Sequence, residues 1–193
     1  MWKLVFIAAL LTGCADGDNA SANSETAVFE PFQKAVEQYW KVREQAAKKA
    51  LKHSEKATPE QIAARTQQLR ESIGIARAGA KQGDVFVPAV RDPFVAVIRS
   101  EVKGPAGKSA KVTIMDENPR SPGVPGNVRV IVNGSYPSST PRSTLPPSLL
   151  LRLPTLPDGL EYRFVGRTLI LEDTEAAMII DFIPNALPGG SGA

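Results

Sequence analysis

Apolar residues recur at two different spacings along this chain of 193 residues. In the first half they lie three and four residues apart, which is the period of a helix with one buried face. Near the C-terminus they form three runs of about six residues, separated by two to four residues. Such runs are typical of short strands joined by tight turns. The pattern therefore predicts a helical first part and a sheet in the last part.

The first predicted helix covers residues 31–52. Pro31 suits its first turn, because the N–H that proline lacks has no helical partner there. Glu37 and Lys41 are spaced to form an ion pair on the exposed face. The buried stripe is predicted to contain Phe32, Val36, Tyr39, Trp40, Arg43, Ala47 and Leu51.

Two further helices are predicted from their start signals. Thr58 is a good N-cap, Pro59 takes the first position, and Gln61 completes a capping box. That helix is expected to end near Gly79 and to form an antiparallel hairpin with the first. The third helix is expected to start at Pro93, because a proline inside a helix costs about 3 kcal/mol. Its N-cap would be Asp92, and its buried side would contain Phe94, Val97, Ile98 and Val102.

The segment after Lys103 is rich in proline, with nine of the 16 prolines lying between Pro119 and Pro157. Lys111–Met115 is predicted as a strand. A second strand is predicted at Asn127–Val132, where apolar and polar residues alternate before the turn dipeptide Asn133-Gly134. Pro146–Leu151 is predicted to form one or two helical turns.

The strongest strand signals are Leu160–Val165, Thr168–Asp173 and Met178–Ile183. Their short connections predict an antiparallel meander, and a sheet of this size needs one face covered by other elements. The predicted fold class is therefore α+β, with an N-terminal helical hairpin and a short helix packed on a small antiparallel β-meander.

The N-terminus carries an export pattern. Lys3 precedes the apolar residues Leu4–Leu11, and small residues at Thr12 and Gly13 follow. An apolar segment of about eight residues is too short to span a membrane, which needs about 20. The sequence Leu11-Thr12-Gly13-Cys14 resembles the lipobox of bacterial lipoproteins. This resemblance implies that residues 1–13 are a signal peptide and that Cys14, the lipid-attachment site, becomes the acylated first residue.

The lipobox sets the expected organisation of the rest. Residues 14–25 are polar and small, and we expect a flexible tether. Residues 26–103 and 104–184 are expected to be the helical and the proline-rich/β parts of one globular domain, followed by a disordered tail at 185–193. The segments Leu145–Pro147, Leu156–Arg167 and Asp181–Pro188 resemble the C-terminal ends of uncharacterised exported bacterial proteins, a resemblance to which no activity is attached.

The lipobox also predicts a location. Lipoproteins as a class carry several acyl chains, and two or more chains anchor a protein durably. In the sorting rule of enteric bacteria, aspartate directly after the cysteine favours the inner membrane. Ala15 stands there and Asp16 follows. The periplasmic face of the outer membrane is therefore favoured, with the membrane as partner through Cys14 and an envelope protein as a possible second partner.

The net charge of +3 is too small for a nucleic-acid-binding protein, so nucleic acid is not an expected partner. The net charge excludes no other class of partner. The distribution is uneven, however. Residues 33–81 hold eleven basic and five acidic residues, whereas residues 158–193 hold two basic and six acidic residues. One interpretation is that the basic and the acidic residues form two separate solvent-exposed faces. The alternative is that the basic part lies near anionic lipid headgroups.

Candidate chemistry is sparse. His53 is the only histidine and Cys14 the only cysteine, so neither a zinc site nor a catalytic triad is expected, and no cofactor is predicted. Carboxylate pairs for glycosidic hydrolysis could come from Asp116, Glu117, Glu172, Asp173, Glu175 and Asp181. These residues are expected at strand ends and turns, facing solvent.

Two groups of side chains have alternative interpretations. Asp181 should face away from Phe182, and if buried it needs an arginine, for which Arg163 and Arg167 are the candidates. The aromatic residues Phe29, Phe32, Tyr39 and Trp40 would form either a ligand surface or, as their helical spacing favours, core.

The function predicted from the sequence is a membrane-tethered envelope lipoprotein that acts by non-enzymatic binding or structural interaction. One alternative is a carboxylate-dependent envelope hydrolase or its accessory. Another is a carrier of lipids or apolar ligands, which would require a large cavity between the helices and the sheet.

Overall fold

The computed structural model describes residues 27–50, 57–120 and 128–189. Within these ranges five helices precede a three-stranded sheet. The helices are α1 (Glu30–Lys49), α2 (Pro59–Ala76), α3 (Pro88–Lys103), α4 (Gly107–Met115) and α5 (Pro147–Leu150). The strands are β1 (Leu160–Val165), β2 (Thr168–Asp173) and β3 (Met178–Ile183). The predicted α+β class is confirmed.

The first two helices form where the sequence predicts them. Helix α1 packs against α2 and α3. At the start of α2, the Gln61 N–H donates to Thr58 Oγ1 at 3.3 Å and the Thr58 N–H donates to Gln61 Oε1 at 2.9 Å. This capping box is confirmed, although α2 ends at Ala76 rather than near Gly79. The predicted end of the first helix, at Lys52, lies outside the described residues.

The predicted start of the third helix at Pro93 is wrong. Helix α3 begins at Pro88 and contains Pro93 as its sixth residue. The hydrogen bond lost at Pro93 would have reached the carbonyl of Ala89, and Ala89 is exposed, so water can satisfy that group. The longer helix also buries Val90 completely, together with Phe94, Ile98 and Val102 at four-residue spacing. Val97 is only partly buried.

Two predicted strands in the proline-rich part are also wrong. Lys111–Met115 lies in helix α4, where Ala110 and Ile114 are buried four residues apart while Val112 is 70% exposed. Residues 128–132 form no strand, and Asn127 lies outside the described residues. The segment whose backbone pairs with the start of β3 lies after the predicted strand. The Asn133 N–H donates to the Ile179 carbonyl, and the Tyr136 N–H donates to the Ala177 carbonyl.

The sheet agrees with the prediction at every boundary. β1, β2 and β3 pair antiparallel in chain order as a meander. Of the one or two helical turns predicted at Pro146–Leu151, α5 forms one. In the β2–β3 pairing the register shifts between Leu171 and Glu172, because Glu172 pairs with Ile179 and Leu171 pairs with Asp181. Ile180 is thus an extra residue, a β-bulge, which reverses the alternation of β3 beyond it.

Both faces of the sheet are covered. The face with Tyr162, Leu171 and Ile180 packs against the helices in the main core, and the face with Ile170 and Ile179 packs against Val128 and Tyr136 in a smaller second core. The main core also includes Ala186 and Leu187. The prediction of a disordered tail at residues 185–193 is therefore wrong for these two; residues 190–193 lie outside the described ranges.

The capping box predicts opposite effects for one substitution at two positions of α2. Thr58→Ala removes the N-cap and should lower the free energy of unfolding by about 1 kcal/mol. Thr66→Ala lies inside the helix, where alanine is the better helix former, and should raise that free energy by up to about 0.7 kcal/mol. Urea unfolding of the three proteins measures both changes. Equal stability of the two variants would contradict this description of the helix start.

Candidate functional site

Cys14, the predicted lipid-attachment site, and His53, the single histidine, lie outside the described residues. The carboxylates from the C-terminal part are all described, and three of them differ from expectation. Glu172, Asp173 and Asp181 are completely buried rather than facing solvent. Glu175 is half exposed, and Asp116 and Glu117 are exposed just after α4. Since a buried carboxylate needs partners, the partners decide what each one can do.

Asp173 joins the end of β2 to helix α1. Its Oδ2 atom accepts from the Tyr39 hydroxyl at 2.7 Å and from Arg43 Nε at 2.8 Å, and its Oδ1 atom accepts from the Ala176 N–H at 2.9 Å. Burial, together with the charge of Asp173, raises the pKa of Tyr39 far above its usual range. Both oxygens of Asp173 are therefore used, and Tyr39 stays neutral.

Arg43 is the basic residue of a cluster that also contains Tyr39, Asp173 and Glu175. Burial acts to lower the pKa of Arg43, but Asp173 and Glu175 outweigh it and raise the value. The Nη2 atom of Arg43 lies 2.9 Å from Glu175 Oε2, yet it has no hydrogen bond of acceptable angle, so this contact is an ion pair only. Arg43 also lies over the Trp40 ring, 4.5 Å from its centroid. The cluster holds α1 against the β2–β3 turn.

Glu172 faces the opposite side of the sheet, in the direction of the second core. Its Oε2 atom accepts from Arg163 Nε at 2.6 Å, and its Oε1 atom lies 3.5 Å from Arg142 Nη2. Burial raises the pKa of Glu172, while the two arginines oppose that rise. Arg163 also bonds Glu161 and donates to the Ser143 carbonyl at 3.3 Å. This cluster ties the chain before α5 to the sheet.

Asp181 is held by backbone amides rather than by arginine. Oδ2 accepts from the N–H groups of Val85 and Phe86, each at 2.8 Å, and Oδ1 accepts from those of Gly83 and Phe182 at 3.0 and 2.8 Å. The prediction that Arg163 or Arg167 is the partner of Asp181 is wrong. Arg163 pairs with Glu172, and Arg167 donates to the Leu187 carbonyl at 2.8 Å.

The bulge at Ile180 explains how Asp181 reaches these amides. Without the extra residue, strict alternation would place Asp181 on the face of Ile179, in the second core. With it, Asp181 shares the helix-covered face with Leu171, as their register shows. The prediction that Asp181 faces away from Phe182 is confirmed. The loop between α2 and α3 is thereby fixed to the sheet.

The three buried carboxylates therefore do not form a catalytic pair. Glu172 and Asp173 lie on opposite faces of β2, and Asp181 has four N–H donors of its own. Hydrolysis of glycosidic bonds needs two carboxyl groups flanking one cleft. No group of three or more His, Cys, Asp or Glu side chains suited to a metal occurs in the described ranges.

The aromatic candidates are core. Phe29, Phe32 and Tyr39 are buried, and Trp40 is partly buried against them. Phe32 stacks on Phe86 with ring centroids 5.3 Å apart and meets Phe94 edge-on at 5.0 Å. These rings fill the space between α1, α3 and the sheet, which is where a carrier would need its cavity.

Two neighbouring surface grooves among the described residues share Pro154 and Thr155. The first, of about 440 Å³, lies between the chain before α5 and β1 and is lined by Leu145, Leu150, Leu156 and Tyr162, among others. The second, of about 610 Å³, lies between the start of α1, helix α3 and the chain after α5. Its lining is Val28, Phe29, Gln33, Pro93, Ala96, Val97 and Leu151–Thr155.

Exposed apolar side chains border both grooves. Leu151 is 87% exposed, Leu150 is 46% exposed and Val28 is 42% exposed. Sequence reasoning missed this site. The available signal was the run Leu149-Leu150-Leu151 on a single helical turn, because one turn cannot bury three consecutive side chains on one side.

Comparison of the chain with protein-family models, with curated proteins and with solved structures finds no match. In the described parts of the chain, no helix is both long enough and apolar enough to cross a membrane.

Because four backbone N–H groups donate to Asp181, we expect a small substitution there to lower the stability strongly. In Asp181→Asn one acceptor oxygen becomes an NH₂ group, which faces backbone N–H donors. At least two hydrogen bonds are lost, and we expect the free energy of unfolding to fall by about 2–4 kcal/mol. Asp158→Asn, at an exposed turn, is the matched control and should change little. Similar urea midpoints for the two variants would rule out this role of Asp181.

Proposed function

We propose that this protein is a lipid-anchored protein of the bacterial cell envelope whose domain acts by binding rather than by catalysis. The observation that carries the anchor is the position of Cys14, the only cysteine, directly behind Leu11-Thr12-Gly13 and an apolar segment. Acyl chains on Cys14 hold the domain at the membrane, since each buried methylene contributes about 0.8 kcal/mol. With Ala15 in the next position, the periplasmic face of the outer membrane is the proposed location.

Binding is supported by the contrast between the carboxylates and the grooves. Among the described residues, the buried carboxylates Glu172, Asp173 and Asp181 are each held by partners that fix the fold, so none of the three is left to exchange protons with a substrate. The grooves instead present exposed leucines beside polar rims, which is the composition of an interaction site. Neither the hydrolase nor the carrier alternative has a comparable observation in its favour, because the carboxylates are separated and aromatic rings fill the space under the helices.

Lipid attachment at Cys14 is testable by moving the thiol. We expect the unchanged protein expressed in bacteria to incorporate labelled palmitate and to lose residues 1–13. Cys14→Ser should incorporate none, because serine has no thiol to acylate. The double variant Cys14→Ser/Ala20→Cys restores a thiol outside the lipobox and should also incorporate none. Intact mass and palmitate label measure this result. Labelling of Cys14→Ser at the level of the unchanged protein would refute the anchor.

A further inference from the structure

Leu151 is the most exposed apolar side chain that lines the grooves, and hydrogen bonds fix the backbone of its turn. Leu151 follows α5, and its N–H donates to the Pro147 carbonyl at 3.0 Å, while the next N–H, of Arg152, donates to the Leu149 carbonyl at 3.1 Å. Leu149 and Leu153 on either side are buried. The turn therefore presents Leu151 to solvent by its own geometry.

The chain leads to Cys14 from the same face. Val28, the second described residue, lines the larger groove together with Leu151 and Arg152. Thirteen residues, 15–27, separate Val28 from Cys14, and a stretch of that length spans at most about 45 Å. The proposed anchor on Cys14 thus limits how far this face can lie from the membrane.

The charge of this face suits an anionic surface. The lining of the larger groove contains one cation, Arg152, and no acidic residue. Glu101, which pairs with Arg152 at 3.8 Å, is only 10% exposed, and Glu30, next to Phe29, is exposed but paired with Lys34 at 2.7 Å. Lys103 follows Ala96 by seven residues on α3, so it continues the same helix face, and it is exposed. Asp92 is the exposed acidic residue at the other end of that face.

From these observations we infer that the larger groove, with Leu151 at its tip and Arg152 beside it, docks on the anionic membrane surface as a second contact. Leucine side chains enter the boundary between headgroups and acyl chains, and basic side chains meet the headgroups. This inference rests on the proposed function, because the lipid on Cys14 keeps the groove at the membrane. The domain would then be held in one orientation on the membrane.

The test uses the acylated protein, in which an introduced cysteine is the single free thiol. Leu151→Cys is labelled with an environment-sensitive fluorophore and reconstituted in vesicles of phosphatidylethanolamine and phosphatidylglycerol. Ile75→Cys is the matched control, because Ile75 is 79% exposed on α2 and lines neither groove. We expect a blue-shifted emission and a loss of iodide quenching at position 151, and free quenching at position 75.

Equal quenching at the two positions in vesicles overturns the inference. If position 151 is shielded in native envelopes but quenched in vesicles, a protein covers the groove and lipid docking is likewise refuted. Recovery of the labelled protein with the vesicles after a high-salt wash reports the lipid anchor separately. A protein that is recovered but quenched keeps the proposed function and loses only the docking.

Discussion

Asp173 needs partners because it is completely buried at the end of β2, and helix α1 supplies them. Tyr39 and Arg43 both contact the same oxygen, at 2.7 and 2.8 Å. Removing one member of a buried ion pair typically costs about 3–5 kcal/mol, which is a large part of the 5–15 kcal/mol that stabilises an ordinary domain. The placement of α1, and with it of Phe29, Phe32 and Val28, therefore depends on this cluster. So does the larger groove, one wall of which is the start of α1.

The same requirement attaches two other segments to the sheet. Glu172 holds the chain before α5 through Arg163 and Arg142, and Asp181 holds the loop between α2 and α3 through backbone amides. A meander of three strands has few hydrogen bonds of its own and needs cover on its faces. In this protein apolar packing supplies the cover, and buried carboxylates determine which segment lies where. The acidic residues that suggested hydrolysis are thus used to hold the fold.

Sequence patterns predicted those elements whose signals are local. Thr58, Pro59 and Gln61 mark a helix start by themselves, and the short apolar runs around Tyr162 and Leu171, joined by tight connections, are sufficient for the strands. The predictions failed where tertiary contacts determine the local structure. The burial of Val90 outweighs the cost of Pro93 inside α3, and Ile114, predicted in a strand, packs into the core from helix α4. The grooves were not predicted, and the buried carboxylates were predicted only as a set of acidic residues facing solvent. Their partners were not predictable, because a single bulge at Ile180 determines the face of Asp181, and backbone amides leave no signature in side-chain identity.

The buried carboxylates hold the structure together, and the grooves are the proposed binding surface. A double-mutant cycle on Arg43 and Asp173, measured as free energies of unfolding in urea, tests the structural half most directly. Arg43→Met and Asp173→Asn should each destabilise strongly because each leaves a polar group buried without its partner. The double variant should be less destabilised than the sum of the two by about 0.5–3 kcal/mol, the range seen for residues in contact. Additive effects, within about 0.5 kcal/mol, would contradict the account.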